Sequence, residues 1–116
     1  MINLNNKKFV SIDNTENGEV SGDTVFEYFQ EGKIVWADYS GGSIVKGHLV
    51  AVMDERGCLD MRYHHINNQN KIMTGICRSK PEILTDGRIR FYEEWQWTTG
   101  DTSSGRSIIE ELRTPC

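Results

Sequence analysis

Hydrophobic and polar residues alternate along much of the chain, most clearly between Arg88 and Thr99, where the sequence reads RIRFYEEWQWTT. In an extended strand successive side chains point to opposite faces, so this segment places three of its four aromatic residues and one acid together. A helix would instead scatter the same side chains around its circumference. The pattern therefore predicts a long strand with an apolar face that neighbouring strands must cover. That face consists of Ile89, Phe91, Glu93, Trp95 and Trp97.

Similar segments recur at short, even spacing and are separated by turn signals. Glycine-containing tripeptides at 30–32, 55–57 and 85–87 fit three-residue hairpin loops, whereas Gly41-Gly42 fits a two-residue turn. Hairpins join consecutive strands, so these loops predict an all-β fold, a single antiparallel up-and-down β-barrel of about eight strands. The predicted strands are residues 7–13, 24–29, 34–40, 43–53, 58–66, 71–79, 88–99 and 107–112.

The last of these segments is ambiguous. Ser107 to Glu110 has the spacing of a capping box for a short helix, while residues 107–112 also suit a strand that pairs with the first. We expect the strand, because closing the meander into a barrel removes both exposed sheet edges. Gly47 and Gly75 lie within predicted strands and also favour a closed, curved barrel, since they leave room for bulky partners such as Trp36.

The predicted loops also set which residues face the interior. The assumed registers place Tyr28 opposite Ile34 and Ile66 opposite Lys71, and they add a bulge or break beside Pro81, which cannot donate to a ladder. With these choices the apolar faces of the strands agree. The predicted inner face comprises Phe26, Tyr28, Ile34, Trp36, Asp38, Gly47, Leu49, Ala51, Met53, Leu59, Met61, Tyr63, His65, Ile72, Thr74, Ile76, Arg78, Ile89, Phe91, Glu93, Trp95 and Trp97.

Composition narrows the class of protein. The chain has 116 residues and a formal net charge of -4, which suits one domain over 1–116 and offers no basic cluster for nucleic acid or anionic membranes. It contains no apolar run long enough for a secretory signal or a membrane span, so we expect a cytoplasmic protein. Cys58, Cys77 and Cys116 form an odd set without CxxC spacing, which predicts reduced thiols.

A mostly apolar inner face with a few polar groups is typical of a site for a small molecule. Two structural alternatives stay open at this point. Arg78 and Glu93 lie on adjacent predicted strands and could form a buried ion pair, and Asp38 and His65 could face water at a barrel mouth. The predicted ligand-binding residues are Trp36, Asp38, Tyr63, His65, Arg78, Glu93, Trp95 and Trp97.

The sequence predicts no metal and no cofactor. His64 and His65 would point to opposite faces of a strand and so could not chelate one ion without a bulge. Cys58, Asp60, His64 and Cys77 share the predicted outer face, but their spacing matches no standard zinc pattern. Neither phosphate-binding glycine motif, GxGxxG or GxxxxGK[ST], occurs in the chain.

Four stretches together cover much of the chain: TENGEVSGDTVFEYFQEGKIVWADYSGG, YHHIN, PEILTDGRIRFYEEWQW and TTGDTSSGRSIIEE. They resemble a family of small uncharacterised bacterial proteins whose members often carry the label N-acetylglutamate synthase. That label implies an acetyltransferase domain with a glycine-rich loop opening a helix, and the residues supply neither. In architecture the chain resembles the small antiparallel barrels of the avidin and lipocalin type.

We therefore expect a barrel that binds a small, partly apolar molecule of unknown identity. The alternatives are a small-barrel enzyme with His65 or Glu93 as general base, and a filled barrel that acts through self-association as a homo-oligomer. The sequence assigns no catalytic residue.

Overall fold

Eight antiparallel strands close into one barrel in the computed structural model, which describes residues 2–113. Each strand pairs with the next, and the last pairs with the first. The predicted all-β meander is confirmed, and the ambiguous last segment is a strand. The strands are β1 Lys7–Asn14, β2 Val25–Glu31, β3 Ile34–Gly41, β4 Ile44–Met53, β5 Leu59–Asn67, β6 Ile72–Ile83, β7 Ile89–Trp97 and β8 Ser104–Glu111.

The lower end of the barrel, where the β2–β3 turn lies, is filled with aromatic rings. Phe9, Tyr28 and Phe91 are fully buried, and the ring of Phe9 lies 5.0 Å from that of Tyr28 and 5.6 Å from that of Phe91, centroid to centroid. Leu4, in the segment that precedes β1, is also fully buried, and its amide donates to the Gln30 side chain at 2.8 Å. This half of the barrel is therefore packed with side chains and leaves no room for a ligand.

The Tyr28 hydroxyl is the one buried side-chain polar atom without a hydrogen-bond partner among residues 2–113. An unsatisfied buried hydroxyl destabilises the folded state, so we expect Tyr28→Phe to raise the unfolding free energy by about 1 kcal/mol. Urea unfolding of both proteins measures the difference. A loss of stability in the variant would show that the hydroxyl has a partner in solution.

The faces of β3 are the reverse of those predicted. Glu31 pairs with Ile34, so the β2–β3 turn holds two residues, with Gly32 at φ 61°, and not the three assumed for 30–32. A one-residue change of register moves every side chain of a strand to the opposite face. Trp36 and Asp38 therefore lie outside the barrel, and Val35, Ala37 and Tyr39 lie inside.

The β3–β4 turn contains a second deviation that offsets the first. Gly41 pairs with Ile44 across a turn of Gly42 and Ser43, and the register shifts between Tyr39 and Gly41. As a result β4 has the predicted faces despite the error in β3. From Gly47 onwards its inward residues are Gly47, Leu49, Ala51 and Met53.

The faces of β6 are also reversed. Ile66 pairs with Ile72 and not with Lys71, so the outward residues of β6 include Arg78. The alternative of a buried ion pair between Arg78 and Glu93 is therefore wrong, since Arg78 faces Asp60 and Glu94 on the outer surface. The predicted inward positions of Ile72, Thr74 and Ile76 are wrong for the same reason. Met73, Gly75, Cys77 and Ser79 point inward instead.

No bulge occurs at Pro81, which pairs with Phe91 within an unbroken β6–β7 ladder. The Leu84 amide donates to the Arg88 carbonyl, and alternation from that pair makes Pro81 and Phe91 a pair that exchanges no hydrogen bond. The nitrogen of Pro81 thus faces the side where the β5 ladder has already ended, at Leu59. The bulge assumed at Pro81 and the inversion of β6 would each reverse the faces of β7 once. The two errors therefore offset each other, and the predicted faces of β7 are confirmed.

The other two tripeptide loops have the predicted geometry. In the loops 55–57 and 85–87 the glycines Gly57 and Gly87 have φ values of 83° and 89°, which only glycine adopts readily. Of the three cysteines, Cys58 and Cys77 are free thiols, as predicted, and Cys116 lies outside the described residues. Within residues 2–113 we find no helix long and apolar enough to cross a membrane.

Candidate functional site

The upper end of the barrel, where the β1–β2 connection lies, encloses a cavity of about 50 Å³. This is far below the roughly 300–1,000 Å³ of pockets that hold drug-sized ligands, so the closed barrel has room for only a few atoms. The cavity lies above the aromatic rings of the lower end. Its lining consists of Asn14, Gly18, Glu19, Val20, Phe26, Tyr39, Leu49, Met61, Tyr63, His65, Cys77, Glu93, Trp95, Trp97 and Ser107.

Three inward aromatic rings around this cavity each lie over a glycine of the neighbouring strand. The cross-strand pairs are Tyr39 with Gly47, Tyr63 with Gly75, and Trp95 with Gly105. A Cβ atom added at any of these glycines would come within 2.4 Å of the ring. The glycines therefore let the rings lie against the barrel wall, which keeps the middle of the upper barrel open.

Glu93 is the charged group that β7 contributes to the wall. Its two carboxylate oxygens accept hydrogen bonds from the hydroxyls of Ser79 at 3.1 Å and Ser107 at 2.9 Å. No cation lies within ion-pair distance of this carboxyl among the described residues. Protein atoms surround the group, and this burial raises the pKa of Glu93 above its ordinary range, although the bonds from Ser107 and Ser79 oppose the rise.

The connection between β1 and β2, residues 15–24, covers the cavity, and we call it the cap segment. The Trp97 indole donates to the Asn17 carbonyl at 3.0 Å, and the Ser43 hydroxyl donates to the Glu19 carbonyl at 2.8 Å. The Asn17 amide in turn donates to the Ser104 carbonyl at 2.8 Å. The cap segment is thus tied to the β3–β4 turn, β7 and β8, and a larger ligand could enter only if it moved.

His65 links the cap segment to the barrel wall. Its Nε2 lies 2.7 Å from a carboxylate oxygen of Glu19, and its Nδ1 lies 2.9 Å from the Tyr39 hydroxyl. An ionised carboxylate only accepts, so the network assigns the proton to Nε2 and makes Tyr39 the donor to Nδ1. Asn67 donates to the other Glu19 oxygen at 3.0 Å. Both nitrogens of His65 are occupied, so it could act as a base only after one of these bonds broke.

Stability is expected to fall as the pH drops below about 6.5, where an unfolded histidine titrates. Burial lowers the pKa of His65, although Glu19 opposes this shift, so the unfolded chain takes up the proton before the native protein does. The His65 contribution is therefore complete above that pH and is lost as the pH falls. Unfolding free energies between about pH 5 and pH 8 should show a shallower slope in His65→Gln than in wild type. Equal slopes in wild type and His65→Gln would contradict the assignment.

The Glu93→Gln variant should gain stability over wild type as the pH rises. An unfolded glutamate titrates near about pH 4.3, and the native carboxyl holds its proton to higher pH. Wild type therefore loses stability as the pH rises through this window, whereas glutamine does not titrate. Below the window we expect the two proteins to agree within about 1 kcal/mol, because the amide can still bond both serines. A variant that is less stable at every pH, by about 3 kcal/mol or more, would indicate that Glu93 has a buried cationic partner.

Five of the eight predicted ligand-binding residues line the cavity, and three do not. The five are Tyr63, His65, Glu93, Trp95 and Trp97. Trp36 stacks on Phe29 at 5.9 Å on the outer surface, and Asp38 bonds His48 there at 2.9 Å with 70% of its side chain exposed. Arg78 is exposed on the outer face of β6. These three positions follow from the inverted faces of β3 and β6.

Sequence reasoning missed several residues that shape the site. Tyr39 and Ser79 were placed outside by the same two register errors. Ser107 was read only as a helix or strand boundary, although the closure of β8 onto β7 sets it opposite Glu93. Glu19 lies in a polar segment without periodicity, and no sequence signal identifies it.

No group of three or more His, Cys, Asp or Glu residues within 2–113 is arranged to hold a metal ion. The site consists largely of aromatic rings, hydroxyl groups, the Glu93 carboxyl group, and a histidine that is bonded to the second carboxyl group, Glu19 of the cap segment. Such a set can bind a small molecule through apolar contact and a few hydrogen bonds.

Comparison with known proteins agrees with this arrangement. No curated protein and no solved structure is similar enough to the chain to count as a match. The family model described as avidin-like protein matches residues 2–112, which is nearly the whole chain and spans every strand of the barrel. The chain therefore belongs to the avidin-like protein family.

Proposed function

We propose that this protein is a binding module that holds a small, partly apolar molecule inside the upper half of its barrel. The observation that carries this proposal is the pairing of three inward rings with three glycines, which keeps a cavity open beside Glu93. A barrel that served only as a scaffold would gain stability by filling this space. The cavity is small when the cap segment is closed, so ligands of more than a few atoms require the cap segment to move.

The polar groups of the cavity support this proposal over an enzymatic one. His65 is engaged through both nitrogens, and the Trp95 and Trp97 indoles donate to Asn14 and Asn17. Glu93 is left as the candidate base, and the two hydroxyl groups that contact it, those of Ser79 and Ser107, both donate to its carboxylate. N-acetylglutamate synthesis is not part of the proposal, because the described elements are all strands and offer no helix N-terminus for a pyrophosphate.

A screen of small metabolites by thermal shift, followed by NMR of the indole N–H signals, tests the proposal. The three tryptophans provide an internal comparison, since Trp95 and Trp97 line the cavity and Trp36 lies outside. We expect at least one compound to raise Tm and to move the Trp95 and Trp97 signals while that of Trp36 stays. Compounds that move only Trp36, or none that move a cavity signal, would contradict the proposal.

Self-association is a second candidate role, and the outer face of β3 and β4 favours it. Ile34, Val50 and Val52 are 60%, 50% and 58% exposed, and Trp36 pairs with Val50 across the two strands. Contiguous exposed apolar patches commonly mark interaction surfaces, and we propose a second copy of the chain as the partner. Sedimentation should then detect a dimer that Val50→Glu dissociates. A wild type that sediments as a monomer at every concentration would contradict this role.

The cytoplasmic location and the extent of the single domain stay predictions from the sequence.

A further inference from the structure

We infer that the cavity selects ligands that carry a small organic ammonium group, with the Glu93 carboxylate as its anionic partner and the rings of Tyr63, Trp95 and Trp97 as its walls. This inference rests on the proposed function and names the chemical class of its ligand. Four features of the described lining support it. Most hydrogen-bond donors are already paired, some hydrogen-bond acceptors have spare capacity, no lysine or arginine is present, and much of the surface is aromatic.

Most hydrogen-bond donors that line the cavity already have protein acceptors. The hydroxyls of Ser79 and Ser107 donate to Glu93. The indoles of Trp95 and Trp97 donate to Asn14 and Asn17. A ligand carboxylate or carbonyl would therefore find few free donors, and burying such a group without partners is costly.

Acceptor capacity, in contrast, is left over at Glu93. A carboxylate offers about four lone-pair positions, and two are used by the serines. The Tyr63 hydroxyl lines the cavity, and no hydrogen bond joins it to another group within residues 2–113. Both groups can accept from an ammonium ion, which carries only donors.

No Lys or Arg lines the cavity in the part of the chain that the structure describes. The one potential cation, His65, is buried, and burial favours its neutral form. Among residues 2–113 Glu93 therefore has no counter-ion, and a ligand cation would supply one. An anionic ligand would instead place a second negative charge beside the carboxyl.

The aromatic walls add to the preference for a cation. The rings of Tyr63 and Trp97 lie 5.7 Å apart, and those of Trp95 and Trp97 lie 5.4 Å apart, measured between centroids. The faces of these rings are electronegative and attract ammonium groups, with tryptophan the strongest of the three ring types. Carboxylate and ring faces thus act on the same kind of ligand group.

The test compares three probes of four heavy atoms each, n-propylammonium, 1-propanol and acetate, by NMR titration of the indole N–H signals. We expect n-propylammonium to move the Trp95 and Trp97 signals with a Kd at least about tenfold lower than that of 1-propanol, and acetate to move neither. Glu93→Gln should weaken n-propylammonium binding at least about tenfold and leave 1-propanol binding unchanged. Glu94→Gln, on the outer face of the same strand, is the matched control and should bind all three probes as wild type does.

The outcomes separate this inference from the proposed function. Binding of 1-propanol or acetate as tightly as n-propylammonium, or equal ammonium affinity in wild type and Glu93→Gln, would overturn the ammonium preference and leave a small-molecule binding barrel standing. No movement of the Trp95 or Trp97 signal with any of the three probes would also overturn it, and the metabolite screen would then decide the proposed function independently. Urea unfolding and an unchanged Trp36 signal establish that each variant is folded.

Discussion

Tyr39→Ala is expected to lower the unfolding free energy by about 3–5 kcal/mol, which is the usual cost of removing a buried aromatic ring. Only 4% of Tyr39 is exposed, and its ring stacks on that of Phe26 with 4.9 Å between centroids. The substitution also removes the hydroxyl that donates to His65, so His65 would lose one of its two partners. Urea or thermal unfolding of the purified variant measures the loss.

Trp36, three residues before Tyr39 on the same strand, is the matched control for this prediction. It is the larger side chain, but it lies on the outer surface of the same strand, so Trp36→Ala should cost about 1 kcal/mol or less. Tyr39→Phe isolates the hydrogen bond to His65 and should cost about 1 kcal/mol. If Trp36→Ala were the more damaging substitution, the faces of β3 would be those that the sequence alone predicted.

Gly75→Val is expected to destabilise the barrel by about 3 kcal/mol or more, at the upper end of the cost of overpacking. A Cβ atom at Gly75 would come within 2.2 Å of the Tyr63 ring and 2.8 Å of the Gln96 carbonyl oxygen. The ring can turn away, but the backbone oxygen is held in the β6–β7 ladder. In a strand with open space valine would be favourable, so the expected loss arises from the close approach and not from strand propensity.

Two comparisons make this second prediction specific. Ile76→Val changes the next residue of β6, which points outward, and should stay within about 0.5 kcal/mol of wild type. In a Tyr63→Ala background Gly75→Val should cost less than in wild type, because one of its two obstacles is gone, and a double-mutant cycle measures this coupling. A Gly75→Val variant as stable as wild type would contradict the packing of Tyr63 on β6.

The rings of Tyr39 and Tyr63 affect the shape of the cavity as well as the stability of the barrel. Tyr39 and Tyr63 both lie on glycines of the next strand, so displacing either ring moves it towards the space beside Glu93. A Gly75→Val variant that still folds is expected to bind cavity ligands more weakly than wild type, because the added side chain displaces the Tyr63 ring. The stability of the upper barrel and its capacity to bind are therefore linked through the same contacts.

The sequence by itself determined the number of strands, their order and the inner face of β7. Period-two alternation is a local property, and it is strong in β7 because one face carries Phe91, Trp95 and Trp97 while the other is polar. The loops 55–57 and 85–87 were also predictable, since a glycine at the left-handed position is a requirement of the turn itself. Tyr63 and His65 were assigned to the interior through these same strands and turns.

Only the tertiary structure decided the faces of β3 and β6. Both faces of β3 are apolar, since Ile34 and Trp36 alternate with Val35 and Tyr39, so burial could not be read from the pattern. In β6 Ile72 and Ile76 compete with Met73 and Cys77 in the same way. One residue more or less in a turn then selects the face, and short turns of different length differ little in local energy.

The site depended on contacts between residues far apart in sequence. Ser79 and Ser107 meet Glu93 because β6 and β8 flank β7, and Glu19 reaches His65 because the cap segment folds over the upper end. No period or motif encodes such contacts, since they arise from the closure of the barrel and the packing of an irregular segment upon it. The sequence thus placed one carboxyl group among aromatic residues, and the fold decided that this group has no cationic partner among the described residues.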